Sequence, residues 1–289
     1  TWIENIYGCM DELAENYNPD ANLDDGSCTY PDNGDFSLSF DGMDDWVEII
    51  DSPSLSMIDN FTVIVWAKPD FSTNQSHYSL ISKGWNDGTC PDPTITQYHL
   101  SLSSNSSLGT YNLKPHYIAQ NCHWANYNGN LEINENHVQM FSSVFGDDRY
   151  KSYVNNQLDD ERIMLYGGPM LDIPGSLRFS SYDGNAPNGN GSYHFKGEIL
   201  KAVIIQNNLT AEEISNIYSS FGENLDEYNL SAYYKFNAGS GNILYDHSGN
   251  GNHGTINGAT WVCNDMDLCG VCGGHNSSCT YFEPSEGDI

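Results

Sequence analysis

The chain has 289 residues, of which 39 are acidic and 10 basic, for a formal net charge of −29. A surface field of that sign repels nucleic acid and anionic membrane and attracts divalent cations, so no nucleic-acid partner is expected. No stretch approaches the roughly 20 apolar residues that a bilayer-spanning helix requires, so no membrane insertion is expected either.

The first informative segment lies between Cys9 and Cys28, where Asn18, Asp20, Asn22 and Asp24 stand at every second position before Asp25 and Gly26. Alternating oxygen ligands closed by a glycine suit a hard cation such as calcium. The pattern departs from a calcium loop at its sixth place, which Asp25 holds where glycine is usual, with Gly26 one position later. A disulfide between Cys9 and Cys28 would contribute roughly 3 kcal/mol on the chain-entropy estimate. Such a bond persists in an oxidising compartment, so the segment points outside the cytosol. Residues 1–31 are too polar to bury a core of their own and depend on that disulfide or on an ion, which makes them a small Cys/Asp-rich module. Thr1 in place of Met fits an exported chain from which a signal has been removed, and an engineered start fits as well.

The middle region, about 230 residues, has the length of one β-sandwich. Phe36, Leu38 and Phe40 alternate with Ser37 and Ser39, the stretch from Trp46 to Ile50 is β-rich, and Phe61–Trp66 is an apolar run bounded by Asn60 and Pro69. Further strands are predicted over Tyr78–Ile81, Tyr98–Leu102, Val138–Phe145, Tyr150–Val154, Leu177–Ser180, Ile199–Ile205 and Ala232–Phe236. Clusters of Gly, Asn, Asp and Pro between them, such as 183–191, read as turns or long loops. One helix is predicted, capped by Thr210 with Glu213 three residues on, and with Ile214, Ile217 and Tyr218 as its apolar stripe. A single short helix among many strands means a sandwich or jelly roll.

The chain has eight cysteines: Cys9 and Cys28, Cys90 and Cys122, then the group Cys263, Cys269, Cys272 and Cys279. They are read as four disulfides, with the pairing inside the last group open. Reduced structural thiols are the alternative. Cys269 and Cys272 form a CxxC, but no second CxxC or HxxxH follows at zinc-finger spacing. Residues 263–289 form a second small Cys-rich module.

Two stretches carry a resemblance: Phe36-Ser-Leu-Ser-Phe-Asp-Gly-Met-Asp-Asp-Trp-Val-Glu-Ile49 and Phe61-Thr-Val-Ile-Val-Trp-Ala-Lys-Pro69. In the same order come Tyr153-Val-Asn-Asn-Gln157, Phe195-Lys-Gly-Glu198, Leu209-Thr-Ala-Glu-Glu-Ile214, and Tyr233-Tyr-Lys-Phe236 leading to Asp246-His-Ser-Gly-Asn-Gly-Asn-His-Gly254. Residues 36–262 thus resemble the laminin-G-like, concanavalin A-like family, which implies an all-β jelly-roll sandwich over residues 32–262. Asn156 stands where the family's "YVNG" turn has glycine, and residues 84–124 read as an insertion with its own cysteine pair. Both ends are similar to short Cys/Asp-rich, thrombospondin-type-3-like modules of secreted bacterial surface proteins, with His275 in a place where that pattern often has Asp.

Polysaccharide-cleaving members of such a fold carry paired carboxylates as Glu-x-Asp-x-x-Glu, and this chain has no such spacing. Asp159-Asp160-Glu161 and Glu223 to Glu227 read as solvated acidic loops. His77, His99, His116, His123 and His137 are scattered without a Ser or Cys motif to serve, so catalysis is not expected. Calcium is the expected cofactor. Its candidate ligands are Asn18, Asp20, Asn22 and Asp24, then Asp41 with Asp44 and Asp45, Asp246 with Asn250, and Asp265 with Asp267.

Trp85, Tyr98, Tyr111, Tyr117, Trp124 and Tyr127 crowd into the insertion and are the candidate ligand-binding aromatics, whereas Trp46, Trp66 and Trp261 read as core. Seven Asn-x-Ser/Thr sequons begin at Asn60, Asn74, Asn105, Asn190, Asn208, Asn229 and Asn276 and permit glycosylation. The expectation is a non-catalytic, calcium-stabilised adhesion or carbohydrate-binding protein of the cell surface, whose partners are glycans, other surface proteins or copies of itself. The alternative is a structural subunit that assembles head-to-tail into an extracellular filament.

Overall fold

The computed structural model describes residues 4–84, 96–119, 123–126, 128–146, 149–163, 170–182, 193–266 and 272. The N-terminal segment carries β1 (Tyr7–Gly8) and β2 (Leu23–Asp24), and the sandwich begins with β3 (Phe36–Asp41), β4 (Trp46–Ile49) and β5 (Phe61–Pro69). Next come β6 (His77–Lys83), β7 (Tyr98–Asn105), β8 (Thr110–Ala119), β9 (His123–Asn126), β10 (Gln139–Gly146), β11 (Arg149–Val154) and β12 (Gln157–Ile163). The chain continues through β13 (Leu177–Phe179), β14 (Lys196–Ile205), α1 (Ala211–Ser219), β15 (Leu230–Tyr234), β16 (Ile243–Leu244), β17 (Gly254–Asn257) and β18 (Thr260–Cys263).

Two sheets stack face to face. The first runs β12-β11-β10-β5-β14-β3-β18, with β15 also on β14, and the second runs β16-β17-β4-β13-β6-β7-β8-β9. Strand alternation sends Leu38, Phe40, Val63, Val65, Leu100, Leu102 and Phe141 into one core between them. The uninterrupted apolar run of β5 has a separate cause, because the strand is buried on both faces. Phe61, Val63 and Val65 point to the inter-sheet core, while Ile64 and Trp66 pack under α1 against Ile214 and Ile217. Thr210 caps α1 by accepting from the Glu213 N–H at 3.3 Å, and the Glu213 carboxylate accepts from the Thr210 N–H at 2.7 Å. Leu209 and Ile214 then meet as a hydrophobic staple in the same apolar cluster.

Within the stretch 84–124 the described residues include strands β7 and β8, paired in register from Tyr98↔Tyr117 to Asn105↔Thr110 toward one edge of the second sheet. Two expectations are corrected here. Asp159 belongs to strand β12 rather than a solvated loop, and its buried carboxylate accepts from the N–H groups of Asn130 and Leu131, each at 2.7 Å. Tyr218 lies exposed, outside the helix stripe. At the β11–β12 turn the left-handed residue is Asn155, at φ 57°, so Asn156 needs no glycine. Asparagine tolerates that region better than most residues.

The N-terminal segment docks on the sandwich through one clamp. The Cys9–Cys28 disulfide packs with Ala14, Tyr30 and Tyr245. Tyr30 stacks on Tyr245 at 5.4 Å and sits edge-on to His247 and His253. The Asp11 carboxylate accepts from the Tyr30 hydroxyl at 2.7 Å and from His253 Nε2 at 2.6 Å. His253 Nδ1 accepts the Asp246 N–H, which fixes Nε2 as the donor. Burial raises the Asp11 carboxyl, but the hydrogen bonds from Tyr30, the Leu13 N–H and His253 outweigh it and hold the group below its ordinary 3.8. The clamp's contribution is therefore complete above pH 3.8 and fades as pH falls below it. A hydrogen bond to a charged group is worth about 1.5–3 kcal/mol, so Asp11→Ala is expected to speed amide exchange of the N-terminal segment roughly tenfold or more while sandwich amides stay unchanged.

Candidate functional site

The outer face of the second sheet is polar. In β6, β7 and β8 the inward residues Tyr78, Leu100, Leu102 and Leu113 join the core. Their neighbours point the other way, and register places His77 beside Ser103, Ser82 beside His99, His99 beside His116, and Ser101 beside Lys114. Three histidines from three strands thus share one patch. They lie 22 and 17 residues apart in the chain, and only strand pairing brings them together.

The rings form a continuous array. His116 stacks on His99 at 5.0 Å, His99 faces Tyr182 at 5.2 Å, Tyr182 meets Tyr193 at 5.9 Å, and Tyr193 leans on His77 at 4.9 Å. The backbone around the two tyrosines is pinned: Ser82 Oγ donates to the Ser181 carbonyl at 2.8 Å, and the Ser79 N–H donates to the Tyr193 carbonyl at 2.7 Å. Tyr193 is 38% exposed and holds φ at +35°. For a bulky residue that conformation costs on the order of 1–3 kcal/mol, a cost met most often at functional sites.

Hydrogen bonding on this face is incomplete. His99 Nε2 meets Ser79 Oγ at 3.0 Å, but His99 Nδ1, His116 Nε2 and Asn112 Oδ1 are buried without a partner. An unmade hydrogen bond at a buried polar atom costs about 1–3 kcal/mol, and here three such atoms occupy one side of one sheet. Burial first, then neighbouring histidine and Lys114 charge, push His99 down to about 3 and His116 well below its ordinary 6.5. Burial and Lys114 push His77 to about 4. All three imidazoles are neutral at physiological pH.

A second feature lies at the loop joining β3 to β4. Carboxylate oxygens of Asp41, Asp44 and Asp45 come within 4.8 Å of one another. Asp41 Oδ1 accepts the Met43 N–H and Asp45 Oδ2 accepts the Asp41 N–H. Burial, and then Asp41 and Asp44, raise the Asp45 carboxyl. An oxygen-only set of three repelling carboxylates fits a hard divalent cation. His194, next to Tyr193, reaches the Asp45 carbonyl with Nδ1 at 3.1 Å and so links this loop to the ring array.

The other sequence-predicted residues fare differently. The N-terminal ladder is spent on backbone hydrogen bonds: Asn18 Oδ1 accepts the Asp20 N–H and Asp24 Oδ1 the Gly26 N–H, each locking a turn, while Asn22 Oδ1 accepts the N–H of the distant Ile6. Asp20 and Asp24 gain no third carboxylate among the described residues. Asp246 is corrected as a metal ligand. It is fully buried, and its two oxygens accept from the N–H groups of Tyr233, Ser248 and Asn252 and from Ser248 Oγ, which leaves no lone pair aimed at a cation.

Asp265 is exposed, and Asp267 lies outside the described residues. Tyr98 and Tyr117 are core residues, and Tyr111 is stacked on Phe71 at 3.8 Å with its hydroxyl on the Gln75 carbonyl, so none offers a free ring to a ligand. Trp85, Tyr127 and the side chain of Trp124 lie outside the described residues, as do Cys90, Cys122, Cys269 and Cys279. Within the last cysteine group, Cys263 pairs with Cys272. Among the sequons, Asn60, Asn74 and Asn229 are exposed, Asn105 and Asn208 are half-buried, and Asn190 and Asn276 are outside the description.

These features define a class: a two-sheet jelly roll with a lectin-like architecture, one outer face sealed and the other polar. The chain belongs to the concanavalin A-like lectin/glucanases superfamily, whose laminin G-type family profile matches residues 41–215. No curated protein matches it. Among solved structures it is similar to a protein from Bacteroides ovatus provisionally assigned to carbohydrate binding, with a TM-score of 0.58 and 14% identity over 81% of this chain. The chain spans 61% of that protein's length. It is also similar to a heptameric SAP-like pentraxin from Limulus polyphemus, with a TM-score of 0.51 and 18% identity, covering 66% of this chain and 85% of the pentraxin. At these identities the likeness is one of fold.

The neutral imidazoles set a pH dependence. The unfolded chain takes up protons as pH falls below 6.5, whereas folded His77 and His99 stay neutral until about pH 4 and 3, so stability is full above 6.5 and drains below it. Thermal unfolding is expected to show a loss of Tm between pH 7 and 5, and His99→Gln should flatten that slope.

Proposed function

We propose that this chain is an extracellular, non-catalytic carbohydrate-binding protein that takes a sugar on the outer face of β6, β7 and β8. The observation that carries the reading is the exposed, conformationally strained ring of Tyr193 leaning on the half-buried His77, whose Nε2 is met by the half-buried Lys114 and by Ser103. Sugar hydroxyls donate and accept, so they suit neutral imidazoles and serines, while an aromatic face takes the apolar side of the pyranose ring. The carbohydrate-binding assignment of the Bacteroides ovatus protein supports the same reading. Two disulfides support an oxidising, extracellular setting.

Calcium belongs to this proposal as a stiffener. Asp41, Asp44 and Asp45 would hold it, and the ion would fix the β3–β4 loop beside His194 and Tyr193. Its charge would offset the mutual repulsion of three carboxylates, one of them largely buried.

Two measurements test these parts. A glycan array followed by calorimetry is expected to find a bound oligosaccharide whose affinity falls about tenfold in Tyr193→Ala, in line with the loss of a stacked aromatic contact. An array without a single bound glycan contradicts the reading. Added calcium is expected to raise the Tm of the native protein and to leave Asp45→Asn unmoved. An unchanged Tm of the native protein in calcium and in chelator removes calcium from the account.

A further inference from the structure

The recognition face has an electrostatic character opposite to that of the chain around it. In a protein of net charge −29, Lys68, Lys83, Arg149, Arg162, Arg178, Lys196 and Lys201 each meet a carboxylate within 3.4 Å. Lys114, Lys151 and Lys235 meet none among the described residues, and of the three Lys114 lies on this face. Its Nζ donates to His77 Nε2 at 3.2 Å, and Ser103 Oγ lies 3.2 Å from the same nitrogen. The titratable groups facing it are His77 from β6, His99 from β7 and His116 from its own strand β8. Every one of them is an uncharged base. Lys114 is half-buried, and burial lowers its pKa, so the ammonium has lost part of its hydration without gaining a counter-ion.

We propose that the sugar taken by this face is acidic, with a carboxylate or sulfate ester that pairs with Lys114 Nζ while its ring lies against the exposed face of Tyr193. The inference rests on the carbohydrate-binding reading above and narrows its ligand class. A neutral sugar would bury the ammonium further and return no charge, whereas an anion supplies the partner that seven other cations of this chain already have. The net negative charge of the chain opposes an acidic ligand only at long range. At physiological ionic strength exposed charges are screened beyond about 8 Å, while a contact pair in a partly buried site is screened much less, so the local attraction wins.

The test is an array printed in matched pairs: oligouronates against their methyl esters, and sulfated glycans against the same backbones unsulfated. The native protein is expected to prefer the acidic member by tenfold or more. Lys114→Met should erase that preference and Lys114→Arg retain it, with both variants checked by near-ultraviolet circular dichroism for native packing. Preference confined to the uronates assigns a carboxylate, and preference confined to the sulfated members a sulfate ester. Equal binding of acidic and neutral members overturns the acidic-sugar inference and leaves the carbohydrate reading standing. Absence of binding to any member overturns both. A preference that survives Lys114→Met overturns the assignment to Lys114.

Discussion

The structure depends on the two-sided burial of β5. Phe61, Val63 and Val65 on one side and Ile64 and Trp66 on the other commit the first sheet to apolar contacts on both faces, between the inter-sheet core and α1. Both faces of that sheet are consumed in holding the protein together, and any recognition must be built elsewhere. The second sheet has only its inner face committed in this way. Its outer face is free to carry imidazoles and hydroxyls at the expense of a few unmade hydrogen bonds.

That division explains how much of the protein is legible in its sequence. Continuous apolar runs and capping boxes are local signals, so β5 and α1 can be read directly from Phe61–Pro69 and from Thr210 with Glu213. Strand β8 is not, because Thr110–Ala119 mixes Tyr, Asn, Lys, Pro and His in a run that resembles neither a clean alternation nor a turn. Its neighbours decide its conformation: every residue from Thr110 to Ala119 pairs with β7 or β9. The histidine patch is illegible for a related reason. His77, His99 and His116 have no motif spacing, and a one-residue slip of register would turn any of them into the core. Only His99 carries a local signal, in the alternation of Tyr98, Leu100 and Leu102 around it.

The acidic residues show the opposite failure, in which a strong local pattern suggests more than the fold delivers. Asn18, Asn22 and Asp24 alternate as calcium ligands would, yet Asn18 and Asp24 accept the N–H two residues on as locks of tight turns, and Asn22 ties its segment to Ile6. Asp246 is similar: a buried carboxylate needs hydrogen-bond donors for its oxygens, and four donors close around it. What it stabilises is the loop carrying His253, and through Asp11 the docking of the N-terminal segment. Asp41, Asp44 and Asp45 differ because they face one another more than they face donors.

The ring array and the acidic loop meet at Tyr193. Its ring closes the array over His77, its carbonyl pins Ser79, and its neighbour His194 reaches the loop of acidic residues. The most direct test of the account is therefore a map of side-chain resonances while the native protein is titrated with the tightest-binding oligosaccharide of the array. The account places the largest perturbations on the rings of His77, His99, His116 and Tyr193. Perturbations confined to the N-terminal segment or to the opposite, helix-covered sheet, with those four rings unmoved, would contradict it.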